Sequence, residues 1–570
     1  MKPILLGAIF GLALLSTAVL SAQTASNNSP DVKKQPALVR LSGSLRLMGD
    51  FFQTTRQRQT TPDLKGRIHS DLALHLGKVQ LQTNILYSSE QNRFQESLNQ
   101  LGLRGRWRGL SFSVGDHYPM LSTFSLNGIK VQGASAQLDL GGLFISGSWG
   151  NNGIGKQKDL ADLGKYVAYT QQIRAVRLGI GKPDGNHLHV VVFSANDDST
   201  SITGRFQGVK PQQNISLSTS SAIKLFKGAV QLNGEATGTA FNPNQFGSKV
   251  EVSTFAQEQG VPEKVVSALT KFFSPTVGTE LGYALKGDAR IQLPVVGLNG
   301  SARYLAPGFT ALGAPGMVSD VFDWSGGANI MLGKGKFIAS GSYGLNRNNL
   351  SALLLSTIRR EVLSANIQIQ PIASVAIVGG YQRMVSTSQS DVQASYSQMF
   401  TSWNLSPTFS LTRPSGNLHS LSLNFILNDF GAPTLAQQGS SNFRNMGGMA
   451  SVNSSLGKGL TLLASGTYMK DSSAFSDGIT QGVQLGLNKP LMHKKLRISL
   501  LGSYDLSRFE LSDATPSTET VRYAARLNTT WKITPKDVLQ FGTTASLIQA
   551  DPQVARIREM RGNAVYIRTF

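Results

Sequence analysis

Residues 483–504 read VQLGLNKPLMHKKLRISLLGSY. Val483, Leu485 and Leu487 alternate with Gln484, Gly486 and Asn488. After a turn over residues 489–494 the chain resumes with Leu496, Ile498, Leu500, Gly502 and Tyr504 set against Arg497, Ser499, Leu501 and Ser503. A strict period of two marks a β-strand with unlike faces, because successive side chains point to opposite sides of the pleat. The second run is about 10 residues long, enough to cross a bilayer core when tilted. Its apolar face ends in a tyrosine, where a headgroup layer would begin. The pattern predicts a membrane-crossing hairpin, apolar outside and polar inside.

The same unit recurs along the chain. Val79, Leu81, Thr83, Ile85, Tyr87 is one copy, and Leu143, Ile145, Gly147, Trp149 is another. Further copies end in Tyr304, Tyr343, Tyr381 and Tyr468, while Trp107, Trp403 and Trp531 stand just ahead of short turns. These nine aromatics, with Tyr504, cap the apolar band at both ends as the two girdles of a membrane barrel require. A soluble β-solenoid or sandwich with aromatic strand ends is the alternative. Short turns fall near Gly77, Arg108, Gly141, residues 182–186, Lys227, Pro294, Gly333, Pro371, residues 406–417, Gly457, Lys489 and Pro535. Two strands and one longer polar connection lie between consecutive turns. The fold class is therefore all-β, a large transmembrane antiparallel up-and-down β-barrel of about 22–26 strands. Residues 197–220 and 408–419 each fit a long strand, a loop or an extra hairpin.

Bulk composition hides this architecture. With 40% hydrophobic residues, 15% charged residues and a mean hydropathy of −0.09 the chain looks soluble, because barrel strands carry their apolar residues at every second position. The one continuous apolar run is at the start: Lys2, then residues 4–20, then Ser21 and Ala22, which reads as a secretory signal peptide over residues 1–22. The chain has no cysteine, which excludes a lipid-anchored cysteine, disulfides and thiolate metal sites. Residues 23–37 read as a flexible periplasmic lead-in, too short to be a plug domain, and 38–570 as the barrel. The longer connections (residues 118–124, 151–163, 307–320, 429–442 and 513–518) lie on one side, expected to be extracellular, and are rich in turn and loop formers. In the largest, residues 241–275, Val265, Val266, Leu269, Phe272 and Phe273 recur at helical spacing, which predicts one short amphipathic helix. It serves either as a constriction in the lumen or as a cap packed on neighbouring loops at the rim.

The last nine residues, Gly562 to Phe570, resemble the C-terminal strand of Gram-negative outer-membrane barrel proteins. The terminal Phe570 and the alternating Tyr566 and Ala564 fit that signature, and Arg568 departs from it. The resemblance implies export to the outer membrane, contact with lipid and lipopolysaccharide, and recognition of the final strand by the barrel-assembly machinery.

The period also assigns the lumen. Arg40 and Arg46 alternate with Leu41 and Leu45, Arg104 and Arg106 with Leu103 and Trp107, and Arg522, Arg526 and Lys532 with Tyr523, Leu527 and Trp531. Arg497 opposes Leu496 and Ile498 in the same way. A lipid-facing arginine at mid-depth costs about 2–4 kcal/mol, so these cations are expected to face inward. The formal charge is +21. A cation-lined lumen favours small anionic solutes, unless its arginines are neutralised by carboxylates across the strands.

No nucleic-acid motif accompanies the basic charge. Catalytic signals are weak: His69, Asp71 and His75 share a face, as do His187 and His189. Same-face residues at i and i+2 could chelate a metal, but lumen-facing polar residues on wide barrels produce such pairs by chance. His419 and Ser420 are adjacent and so point to opposite faces. No cofactor, metal or enzyme activity is expected. The sequence points to a passive channel or transporter. The alternative is an anchoring barrel with a plugged lumen that docks a protein partner in the envelope.

Overall fold

The computed structural model describes residues 39–55, 64–89, 99–152, 168–183, 185–202, 209–390, 395–432, 442–511, 517–550 and 556–570. The expected signal peptide and lead-in lie outside these residues, as do parts of the connections 151–163, 429–442 and 513–518.

The strands in chain order are β1 (Val39–Thr54), β2 (Leu64–Leu76), β3 (Val79–Ser88), β4 (Gln100–Trp107), β5 (Leu110–His117), β6 (Met120–Ser122), β7 (Leu126–Asn127), β8 (Val131–Asp139), β9 (Leu143–Asn152) and β10 (Thr170–Gly181). They continue with β11 (His187–Asp198), β12 (Gln213–Leu225), β13 (Val230–Asn242), β14 (Glu280–Gln292), β15 (Val296–Leu305), β16 (Val321–Leu332), β17 (Phe337–Asn348), β18 (Thr357–Ile372) and β19 (Val375–Gln389). The rest are β20 (Tyr396–Thr412), β21 (Leu418–Gly431), β22 (Phe443–Ser455), β23 (Thr461–Ser473), β24 (Ser476–Leu491), β25 (Leu496–Leu511), β26 (Thr518–Lys532), β27 (Asp537–Ala550) and β28 (Ile557–Thr569). All but β6 and β7 form one 26-stranded sheet in which each strand pairs antiparallel with its chain neighbours. Pairing of β1 with β28 closes it, and Phe570 N donates to Gly43 O at the seam. The sequence range of about 22–26 strands resolves at its upper end.

The deciding hairpin pairs Val483 with Tyr504, Leu485 with Gly502 and Leu487 with Leu500. Its turn sits at residues 492–495, later than the expected 489–494, because Pro490 is accommodated opposite Arg497 at the strand end. Met492, His493 and Lys494 take positive φ values of 50°, 54° and 69° to reverse the chain in so few residues. Two other expected turns move. Pro371 lies within β18 at a register shift between Ile369 and Ile372, as a residue without an N–H must at a bulge, and the turn follows it. β20 runs through residues 406–412, and the tight turn is at 413–417, closed by Arg413 N to Asn417 O at 2.9 Å. Trp403 therefore does not precede a turn. It faces Tyr381 with ring centroids 4.2 Å apart, in the girdle on the loop side.

Outward faces are apolar around the barrel: Val176, Leu178, Val190, Val192, Leu217, Leu285, Leu298, Trp403, Leu485, Leu500 and Leu527 are all exposed. Inward faces carry serine, threonine, asparagine and charge. Such inversion leaves an unbroken apolar belt that water would penalise and hydrocarbon accepts, so the barrel spans a membrane. At the turn-side rim Arg568 faces outward with Tyr566 and Ala564, opposite Asp537, and lies over the Phe570 ring at 5.6 Å. This settles the register of the last strand.

The large loop holds two short helices, α1 (Val252–Gln259) and α2 (Glu263–Leu269), where one was expected. Gly260, with φ 63°, ends α1 in a left-handed cap. Phe255, Ala256 and Val266 bury against one another, with Val250, Val252, Val261 and outward-facing Leu281 packed on them. Each helix is too short to stand alone, and mutual burial holds the pair.

Candidate functional site

The eight expected cations all fall on the inward face. Arg40 pairs across the sheet with His75 and Arg46 with His69. Arg104 stands between Gln82 and Ser113, and Arg106 between Gln80 and Ser111. Arg497 is opposite Thr530, Arg522 opposite Asp505, and Lys532 opposite Val538. Arg526 donates from Nε to Thr544 Oγ1 at 3.3 Å. These positions share one arc of wall, β25–β28 and β1–β4. Lys65, Arg67 and Arg561 are further inward cations there, and the inward carboxylates are Asp50, Asp71, Asp505 and Glu559. Arg67 pairs with Asp50 at 2.6 Å and Arg561 with Glu559 at 3.6 Å, whereas none of the eight forms an ion pair among the described residues.

The adjoining wall, β17–β23, is nearly uncharged. At one level Ser342, Ser364, Gln382, Ser402, Asn428, Asn445 and Asp471 succeed one another from strand to strand. Asn428 donates to Asn445 at 3.2 Å, and Asn445 to Asp471. Arg360 and Asp471 are the only charged residues facing inward on these strands.

The third sector, β9–β15, is covered from within. The connection 118–130, which includes the β6–β7 ribbon, and the connection 306–320 fold onto the inner wall. Leu126 and Val131 pack with Ile173, Ala175, Phe193 and Ala195 of β10 and β11, joined by Leu121, Ile129 and Leu312. Phe124 and Phe309 meet edge to face at 6.0 Å, above Ala284 and Leu305. Polar bonds complete the seat. Ser122 donates to Glu235 Oε1 at 2.6 Å and its Oγ lies 3.0 Å from Ser218 Oγ, and Ser125 Oγ also bonds Ser218. Thr310 O accepts from Thr239 at 2.9 Å and from Asn214 at 3.2 Å, and Asn127 N reaches Gly313 O at 3.0 Å between the two connections. Since Ser218 and Glu235 lie midway along their strands and the two connections pack on each other, they narrow the lumen below its rim.

The residues expected in a constriction helix are placed differently. Val266 is buried inside the helix pair and Phe273 is also buried, while Val265 and Phe272 are 56% and 73% exposed. The Leu269 side chain lies outside the described residues. The inward-packed segments are instead two connections that had been assigned as ordinary loops. One signal marks the wall they cover: Val190, Val191, Val192 and Phe193 are apolar on both faces of β11, which fits a strand covered on each side. Sequence reasoning also missed Arg177, inward by its phase against Val176 and Leu178. It donates to Ser146 at 2.9 Å and to Gln137 at 3.1 Å and lies over the Phe144 ring at 5.3 Å.

The girdle aromatics are on the outward face. Tyr87, Trp107, Trp149, Trp403, Tyr468, Tyr504 and Trp531 are exposed, Tyr304 stacks on Tyr283, and Tyr343 meets Trp324 with the rings inclined at 60°. His69 contacts Asp71 at 3.0 Å. His419 Nδ1 lies 3.1 Å from Ser454 Oγ on the neighbouring strand rather than near Ser420.

No family model and no curated protein matches this chain. Among solved structures, the translocation pore of the P pilus usher PapC matches over 94% of this chain and 100% of its own, at 9% identity and a TM-score of 0.35. OccK8 (OprE) of Pseudomonas aeruginosa matches over 70% and 98%, at 10% identity and 0.30. The outer membrane protein opdK of the same organism matches over 63% and 94%, at 9% identity and 0.29. At these scores the likeness carries no conclusion about function, which rests on the barrel's own geometry.

Proposed function

We propose that the protein is an outer-membrane channel for passive passage of small polar, anionic solutes, with export directed by residues 1–22. The observation that carries this reading is the inward arc of arginines on β25–β28 and β1–β4, opposed by few carboxylates. Cations concentrated along one side of a narrow water-filled path raise the local anion concentration. The uncharged amide wall beside them offers donors and acceptors to the neutral parts of a solute without opposing its charge. Planar-bilayer recording of the refolded full chain under a KCl gradient tests it. An anion-selective reversal potential that moves toward zero on replacing Arg522 and Arg526 with serine is the expected result.

The inward-packed connections favour a second reading, a barrel with a closed lumen that anchors an envelope complex. A barrel shown to be folded by heat-modifiable migration, yet without conductance, would select it.

A further inference from the structure

The outward face of the barrel is nearly free of charge over half its circumference. On β1–β5 and β8–β16 the outward-facing charged residues, among those described, are Asp116, Arg174 and Asp198. The next strands differ. Arg347 on β17 and Arg359 on β18 stand directly opposite each other, both exposed on the lipid side of the sheet. Arg383 on β19 is outward at the level of Leu363 and Thr401, and Lys470 on β23 at the level of Met446. The carboxylates facing them are Glu361, 2.8 Å from Arg359, and Asp429, 2.5 Å from Arg444. Five cations thus face two acids. Like charges directly opposite in a sheet destabilise it, so the Arg347–Arg359 juxtaposition has a cost that an anion between them would relieve.

Turnward of these arginines the outer wall is concave, beginning at the next outward residue from Arg383 and at the third outward residue from Arg347 and Arg359. A groove of about 750 Å³ crosses β16–β21, floored by Gly341, Ala365 and Gly379 and walled by Tyr381, Trp403 and Phe425. Arg383 is the next outward residue loopward of Tyr381 on the same strand. Cationic forks therefore sit at the interfacial end of an apolar trough, at the depth where a lipid changes from phosphate to acyl chain. Planar guanidinium groups bind phosphate oxygens in pairs, which ammonium groups do not. A second outward groove, about 920 Å³ over β24–β28 and β1, lacks this complement. Its loopward charges are Arg558, Glu510, Asp477 and the Arg508–Glu519 pair at 3.0 Å, with acids offsetting the bases.

We propose that the outward surface of β16–β21 is a binding site for one phosphorylated, multiply acylated glycolipid of the outer leaflet, its acyl chains in the groove and its phosphates on Arg347, Arg359 and Arg383. The proposal rests on the outer-membrane placement above and is independent of conduction. Full-length protein in nanodiscs of zwitterionic lipid is titrated with fluorescent bisphosphoryl lipid A, and bound lipid is counted by native mass spectrometry. Retention of one lipid per barrel is expected, with affinity at least tenfold lower for phosphate-free lipid A on the unaltered protein. A similar loss is expected for R347S/R359S/R383S, with partial recovery in the triple lysine variant. Competition by phosphatidylglycerol at equal concentration would reduce the site to a charged membrane surface, and displacement by inorganic phosphate would reduce it to a free-anion site. Either result overturns the proposal, as does unchanged binding after the phosphates are removed. Because these side chains face lipid, the serine variant keeps the conductance of the unaltered barrel. Conduction without binding refutes the lipid site, and binding without conduction refutes the channel.

Discussion

Replacing Phe124 with alanine isolates the contribution of the inward-packed connections. Phe124 has no exposed surface, and its ring meets that of Phe309 edge to face at 6.0 Å, joining the two connections to each other. Its backbone N donates to Ser122 Oγ at 3.2 Å and to Glu235 at 3.3 Å, so truncation also loosens the polar seat. A buried phenylalanine cut to alanine costs about 3–5 kcal/mol. At about 1.4 kcal/mol per decade, the docked-to-released ratio falls by roughly two to three and a half orders of magnitude. The 26-stranded sheet does not depend on this contact, so the variant is expected to keep its heat-modifiable migration. Single-channel recording should show a larger main conductance and more open-channel noise. Because the chain has no native cysteine, S122C/S218C can be added without competing thiols, at a site where the two hydroxyls are 3.0 Å apart. Oxidation of that triple variant should return the conductance to that of the unaltered barrel. Conductance and noise unchanged in a folded F124A barrel would refute the claim that these connections narrow the lumen.

Leu485, outward in mid-strand and 62% exposed, should not tolerate arginine: L485R is expected to lower folding stability in lipid by about 2–4 kcal/mol, whereas inward S503R should be tolerated, as read from urea titration of the folded band. Gly43 has φ +134°, and a Cβ there would lie 2.1 Å from Asp71 O, so G43V is expected to disrupt β1–β2 pairing near the closing seam and reduce the yield of heat-modifiable barrel. Arg303 and Asp323 are joined by two bonds, at 2.9 and 2.8 Å, and nearly cancel. Removing both as R303S/D323S should leave the reversal potential where it was. R303S alone, which strands an inward carboxylate, should move it toward cation selectivity.

The alternation of Val483 to Tyr504, repeated along the chain, determines strands, faces and the approximate strand number, because period two is a local property of the pleat. The same local rule places Arg40, Arg104 and Arg522 inward, since lipid rejects charge wherever the strand happens to pair. It could also have placed Arg177, and the two-sided apolar run Val190 to Phe193 already contains the sign of a covered wall. Where turns fall depends on more than pattern. Pro371 and Pro490 look like turn residues, but cross-strand pairing carries both strands past them, with a bulge absorbing the missing N–H at Pro371. What covers β10 and β11 was decided only by tertiary structure. The connections 118–130 and 306–320 contain enough glycine, proline and serine to pass as solvent loops, and their few apolar residues, Phe124, Leu126, Phe309 and Leu312, find partners up to about 190 residues away in sequence. The outward juxtaposition of Arg347 and Arg359 over a concave wall is likewise a product of register and barrel curvature. Neither quantity is a property of any single strand, and both arise only when the sheet closes.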